Sequence, residues 1–212
     1  MELQMLAPGS YAWTSDADPI RYYRLPLVGR PFRNRITRTV ALLPAGDRVL
    51  EIGYGSGVSF LNLAQKFREI YGLDLHDRAD DVAESLAGKN LKLNLKQGSI
   101  VNLPYGSESF DAVVAISIHE ELPPDQQEAA FAEVRRVLRP GGCYVVGVPG
   151  VNFMMNTALR LLGCPIGRYH VTTERMILKL MRNRFDVDAT VYAPKWWPKS
   201  LTTYVSIRGW KR

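Results

Sequence analysis

Residues 49–60 read VLEIGYGSGVSF. An apolar run carries one acid, Glu51, and then breaks into Gly53, Gly55 and Gly57 on alternate positions. Few patterns limit a fold more. Glycine in a strand interior weakens it, so a glycine ladder marks a turn or a close backbone approach rather than a continuing strand. The segment after it, SFLNLAQKF at 59–67, has helical spacing. A strand that turns sharply into a helix is half of a βαβ unit and commits the chain to a parallel sheet covered by helices.

The rest of the sequence repeats that alternation. Strand patterns are expected at 48–55, 69–75, 91–100, 110–118 and from 143 onward. The run FDAVVAISI at 110–118 is rich in β-branched residues and reads as a central parallel strand. Helical patterns fall at 32–43, 59–67, 79–88, 125–138 and 173–184. Asp125 and Glu128 stand at capping-box spacing, and RPGG at 139–142 is expected to stop the helix that they open. Two β runs close the chain, 185–193 and 202–210, with a connection too short for a crossover helix. They are expected to pair antiparallel. The expected fold class is α/β: a Rossmann-like, doubly wound sheet of seven strands, mostly parallel, with an antiparallel C-terminal hairpin and helices on both faces. One domain spans 1–212, divided into an N-terminal cap (1–45), a core (46–150), a lid insertion (151–172) and a terminal helix with hairpin (173–212).

Charge is unevenly spread over the 212 residues, whose net formal charge is +6. Residues 46–150 hold 10 basic and 15 acidic side chains, and the flanks hold 17 and 6. Arg21, Arg24, Arg30, Arg33, Arg35 and Arg38 form a run without an acid. Basic flanks favour anionic partners such as phosphates, acidic lipid or nucleic acid, or serve as solvated surface. No apolar run is long enough to cross a membrane, and the start shows no secretory pattern, so a cytoplasmic protein is expected. Cys143 and Cys164 lack metal-ligand spacing and read as free thiols; no metal site is expected.

Ligands on doubly wound sheets bind at the carboxyl ends of the strands, where strand order reverses. The spacing here is G-x-G-x-G, one residue short of the dinucleotide pattern G-x-G-x-x-G, which sets aside an NAD-dependent oxidoreductase. Glu51 would repel a pyrophosphate and suits a cationic nucleoside instead.

LEIGYGSG resembles the first motif of the class I S-adenosylmethionine-dependent methyltransferases. GLDL at 72–75, QGSIVNLPYGSESFDAVVA and AEVRRVLRPGG resemble later motifs of that family, in order. The resemblance covers about 45–150 and lies nearest the small-molecule subset that includes quinone-biosynthesis enzymes. It implies S-adenosylmethionine as methyl donor and S-adenosylhomocysteine as product. It also implies a cofactor-binding set of Glu51, Gly53, Tyr54, Gly55, Gly57, Asp74, Leu75, Ser99, Ile100 and Ala115, with Asp74 on the ribose hydroxyls. Ser99 stands where the family has an adenine-binding acid. On the acceptor side, Glu120 and Glu121 replace a His-His pair, with His119 one place earlier.

His119 is the first candidate base, because imidazole titrates near neutrality. Glu120 and His170 are the others, each weighed against a structural or solvated role. His76 is placed at the adenosine edge or in solvent, and Tyr22 and Tyr23 over the cofactor or packed on the sheet. The apolar 151–170 segment, with Trp196 and Trp197 beside Lys195 and Lys199, suggests a substrate tunnel or peripheral contact with anionic membrane. Core or dimer packing is the plainer alternative, and the oligomeric state stays open. The leading expectation is methyl transfer to a small hydrophobic or anionic acceptor such as a lipid, isoprenoid or polyketide-like metabolite. The alternatives are a cofactor-binding module without turnover and, with less support, an RNA methyltransferase. Against RNA, no N/D-P-P-Y-like tetrapeptide follows the fourth strand.

Overall fold

The computed structural model describes all residues except 17, 27–28, 151–171, 195–197 and 199–201. Seven strands form one sheet in the order β3-β2-β1-β4-β5-β7-β6. They are β1 (Gly46–Ile52), β2 (Phe67–Asp74), β3 (Leu93–Gln97), β4 (Phe110–Ile116), β5 (Leu138–Pro149), β6 (Asp186–Ala193) and β7 (Tyr204–Trp210). The first five run parallel to one another, β7 runs antiparallel to β5, and β6 runs antiparallel to β7. The hairpin expected from the short connection is therefore present.

Strand order reverses between β1 and β4, which lie side by side with Ile52 opposite Ala115. That switch point sets the site. The chain leaves β1 through the glycine turn and leaves β4 through Ser117–Glu121, so the two loops face one crevice.

Among the described residues the α-helices are α1 (Gly29–Leu42), α2 (Phe60–Leu63), α3 (Ala79–Ser85), α4 (Pro124–Val137) and α5 (Glu174–Arg184). Alternate residues of the central strands feed two apolar clusters. Val113, Tyr144 and Val146 join Phe131 and Val134 of α4 and Ile177 and Met181 of α5. Val114 and Val145 join Ile36 and Val40 of α1 and Phe60 of α2. Burial on both faces is why these strands read as continuous apolar runs.

Three sequence expectations need correction. The helix at 59–67 is a single short turn, because Phe67 is already buried as the first residue of β2. The capping box at Asp125 and Glu128 does not form. Pro123 is the cap, Pro124 fills the first turn, and Glu128 instead takes an N–H from Arg184 Nε at 3.1 Å. RPGG does not merely end a helix: Leu138 already pairs with Phe110, and the irregularity lies between Phe110 and Ala112.

Candidate functional site

A cavity of about 1540 Å³ opens over the switch point. Its walls come from the glycine turn, the ends of β2 and β4, α1 and the N-terminal segment.

The glycine turn is built as its spacing requires. Gly53, Gly55 and Gly57 have φ of 72°, 50° and 73°, the left-handed region that side-chain-bearing residues avoid. Its polar groups are already engaged. The Gly55 N–H donates to Asp74 Oδ2 at 2.8 Å, and the Ser56 N–H donates to Asp18 Oδ2 at 2.7 Å. His76 Nε2 lies 3.1 Å from the Gly55 carbonyl oxygen, and its ring stands edge-on to Tyr54. His76 thus braces the turn.

Glu51 ends β1 beneath the turn, 3% exposed. Ser59 donates a hydroxyl hydrogen bond to it. Burial pushes its carboxyl up to about 8, against the lowering by Ser59, and the nearby Asp74 charge pushes the same way. A buried acid of this kind is stabilised in its charged form by a cation beside it. A protonated amine at the cavity floor meets that need, and S-adenosylmethionine carries one. The donor set, the bare backbone above it and the cavity volume all suit that cofactor.

Of the cofactor-side residues expected from sequence, Glu51, Gly53, Tyr54, Gly55, Asp74, Leu75, Ser99 and Ile100 line the cavity. Leu75 is 73% exposed, an apolar side chain at the mouth of the cavity. Gly57 does not line it; a side chain there would strike Phe60 and Val82, so this glycine serves the turn's own packing. Ala115 is a correction: it is fully buried in the core between sheet and α4 and does not reach the cavity.

The acceptor-side expectations divide. His119 is fully buried and does not line the cavity. The Gln127 amide donates to the carbonyls of His119 and Leu122 at 2.7 and 3.0 Å, so its Oε1 must accept from His119 Nδ1–H, at 2.7 Å. The other ring nitrogen then accepts from the Tyr144 hydroxyl. Burial holds the imidazole neutral, with its pKa down to about 4. His119 is a structural residue, not a base facing a ligand. Glu120 does line the cavity, is 4% exposed, and burial pushes its carboxyl up to about 8. His170 lies outside the described residues, as do the 151–170 lid and Trp196, Trp197, Lys195 and Lys199. The peripheral membrane expectation rested on those residues. Among the described residues no helix is long and apolar enough to cross a membrane, and no group of side chains could hold a metal.

Two contributors were not anticipated. Asp18 caps the 3-10 turn at Pro19–Tyr22, accepting from Ile20 N–H at 3.0 Å, while its other oxygen grips the glycine turn. A D-P pair is a recognisable cap signal, but nothing local tells which distant turn it will meet. Arg35 projects from α1 beneath Tyr23 and Ser117. It belongs to the arginine run that suggested a basic surface. In that run Arg21, Arg30, Arg35 and Arg38 line the cavity, Arg24 and Arg33 donate to the carbonyls of Leu6 and Tyr23, and Arg21, Arg24 and Arg30 stay exposed.

Comparison with known proteins follows this geometry. The methyltransferase domain family model matches residues 49–142. Erythromycin 3''-O-methyltransferase of Saccharopolyspora erythraea is 34% identical over 109 residues, covering 48% of this chain and 34% of that protein. Phthiotriol/phenolphthiotriol dimycocerosates methyltransferase of Mycobacterium leprae is 34% identical over 139 residues, covering 61% and 49%. The chain thus spans about half the length, or less, of these relatives. Among solved structures, N-methyltransferase NodS of Bradyrhizobium japonicum in complex with S-adenosylhomocysteine superposes with a TM-score of 0.69. It is 19% identical, and the match covers 93% of each chain, which is a likeness of fold.

Proposed function

We propose that this chain, whose residues 49–142 match the methyltransferase domain family model, is a class I methyltransferase that binds S-adenosylmethionine on its glycine turn and transfers the methyl group to a small acceptor. The observation that carries the reading is Glu51: a buried carboxyl under a bare backbone turn, at the switch point of a doubly wound sheet.

When bound, the cofactor supplies a methyl group on a cationic sulfur, already a good electrophile. The chain's own work is placement and desolvation. Glu51 offers a carboxylate to a cationic amine. Asp74 lines the cavity at the end of β2, where its carboxylate can accept from ribose hydroxyls. Leu75, Ser99 and Ile100 give the next wall, apolar with one hydroxyl, suited to an adenine face. Tyr22, Tyr23 and Asp18 bring the N-terminal segment over the opening, which supports a cap role for residues 1–45.

The acceptor side supports a small hydrophobic or anionic molecule. Phe32, Ile116, Ile118 and Leu122 give apolar wall, and Arg35 and Glu120 give the polar groups. Relatives named for erythromycin and for phthiotriol dimycocerosates support a small-molecule acceptor. An RNA substrate is less well supported, since four arginines of the run line the cavity and the relatives above are named for small molecules.

Calorimetric titration of the purified chain with S-adenosylhomocysteine tests the reading. Saturable binding that Gly55→Val abolishes is expected; a side chain there would meet the Asp18 carboxylate at 2.9 Å with φ at 50°. Absence of binding by the wild-type chain would overturn the proposal. Transfer of labelled methyl from S-adenosylmethionine to an extract component separates an enzyme from a module that only binds.

A further inference from the structure

The loop after β4 carries a strained residue. Ser117 has φ of 61° without being glycine, and such strain gathers at working sites. The conformation turns the Ser117 hydroxyl into a small polar cluster. It receives Arg35 Nη1 at 3.3 Å, lies 3.1 Å from the Tyr204 hydroxyl and is near enough to the Glu120 carboxyl to oppose slightly the effect of its burial. Arg35 Nη2 donates to the Tyr23 hydroxyl at 2.9 Å. Its guanidinium lies 5.7 Å from the Tyr23 ring centroid and 5.1 Å from that of Phe32.

Two atoms in this cluster lack partners among the described residues. Arg35 Nε and Glu120 Oε2 are both buried without a hydrogen bond. Arg35 also has no carboxylate at ion-pair distance among the described residues. A guanidinium whose buried Nε has no acceptor and a buried carboxyl with a bare oxygen are each costly, and Arg35 and Glu120 feel each other's charge without a hydrogen bond between them. Both residues line the cavity. An oxygen acid placed there answers both needs: its oxyanion faces the guanidinium and its proton faces the carboxylate.

We propose that Arg35 and Glu120 form the acceptor subsite and that it takes a phenol- or enol-type hydroxyl set on an apolar body. Arg35 binds the oxyanion, and Glu120 receives the proton. The transfer balances. The O–H bond of the acceptor breaks and its proton passes to Glu120 in its ionised form, the minority form below about pH 8, which the Arg35 charge favours. The oxygen pair forms a bond to the methyl carbon, and the carbon–sulfur pair returns to sulfur. The products are a methyl ether, S-adenosylhomocysteine and a protonated Glu120 that releases its proton to solvent. Tyr23, Tyr204 and Glu121 also face the pair; burial holds both tyrosines protonated and raises Glu121 as well. The acceptor's role in this inference rests on the methyl-transfer reading above, but its ionisation does not.

The probe is 4-nitrophenol, whose ionised form absorbs visibly, titrated with the full chain in the presence of S-adenosylhomocysteine. The bound dye is expected to ionise more readily, with about tenfold more of the ionised form at a pH about one unit below its free pKa. Arg35→Met should remove the shift, and Arg35→Lys should keep part of it. Glu120→Gln should keep dye binding but abolish methyl transfer to any phenolic acceptor. Retained S-adenosylhomocysteine binding shows that each variant is folded. Absence of dye binding, an unshifted bound dye, or a shift that survives Arg35→Met overturns the subsite. Arg35-dependent binding of 4-nitrobenzoate without any shift of the phenol overturns the hydroxyl in favour of a permanent anion. A shifted dye on a chain that fails to bind S-adenosylhomocysteine would sink the methyl-transfer reading and leave the subsite standing.

Discussion

Glu51 shows how one side chain ties folding to binding. Its carboxyl, pushed up to about 8 by burial, is mostly protonated at neutral pH in the free protein. A cationic amine favours the carboxylate, so ligand uptake should drive that proton off. Below about pH 8 the site must therefore lose a proton to bind, and affinity for S-adenosylhomocysteine should strengthen as pH rises toward that value. Calorimetry in buffers of different ionisation enthalpy checks this; about one proton released near pH 7 is expected. Glu51→Gln should flatten the pH dependence and weaken binding about tenfold to a hundredfold, the worth of a charge-assisted hydrogen bond. Asp18 makes a second prediction at this scale. It caps one turn and anchors another, so Asp18→Ala should cost about 1 kcal/mol in chemical unfolding. The glycines and Glu51 were legible in the sequence because their chemistry is local: positive φ and an acid at a strand end. Asp18 and Arg35 were not, because their partners, Ser56 and Ser117, stand far along the chain.

At the scale of elements, the loop between β4 and α4 explains why His119 misled. Its position after a central strand is where a base belongs, and spacing gave its address correctly. Spacing does not report which way a side chain turns. Here Gln127, one turn into α4, draws the imidazole inward and is itself fully buried. The Gln127 amide also reaches Thr172 Oγ1 at 3.1 Å, so three segments converge on it. Gln127→Leu would leave the buried His119 Nδ1–H without an acceptor, while the carbonyls of His119 and Leu122 keep the Leu122 N–H and the Thr172 hydroxyl, for a loss of about 2–3 kcal/mol in urea unfolding. His119→Phe should likewise destabilise the chain while leaving the pH–rate profile of any methyl transfer unchanged; a lost acidic limb would restore His119 as the base. Strands survived sequence reading better than helix ends. Burial on both faces writes a strand in many residues, whereas a helix end is decided by a few, such as Pro124 displacing the capping pair. Residues 151–171 were read as a lid, and that reading lies outside the described residues.

Over the whole molecule, the switch-point cavity concentrates ionisable groups that folding alone would not keep. Glu120 is held near 8 in the folded state against an ordinary value of 4.5. The folded chain thus holds its proton more tightly than the unfolded chain. Its contribution to stability is fully present below about pH 4.5 and is lost as pH rises through about 8. Glu51 behaves the same way. His119 runs opposite: its value falls to about 4, so its contribution is present above about 6.5 and lost as pH drops through 4. The free protein is therefore squeezed from both sides, with the carboxyls setting the alkaline flank. Glu120→Gln keeps the shape and removes the titration. Its melting temperature relative to wild type should climb steadily between pH about 5 and 8, because only the wild type must ionise a buried carboxyl over that range. Thermal melts at several pH values in the absence of ligand decide it. A difference that stays flat would mean that Glu120 is solvated in the free protein. Saturating S-adenosylhomocysteine should blunt the alkaline loss through Glu51 and leave the Glu120 share in place, since an amine on the cofactor side answers the first carboxylate and the second still waits for an acceptor.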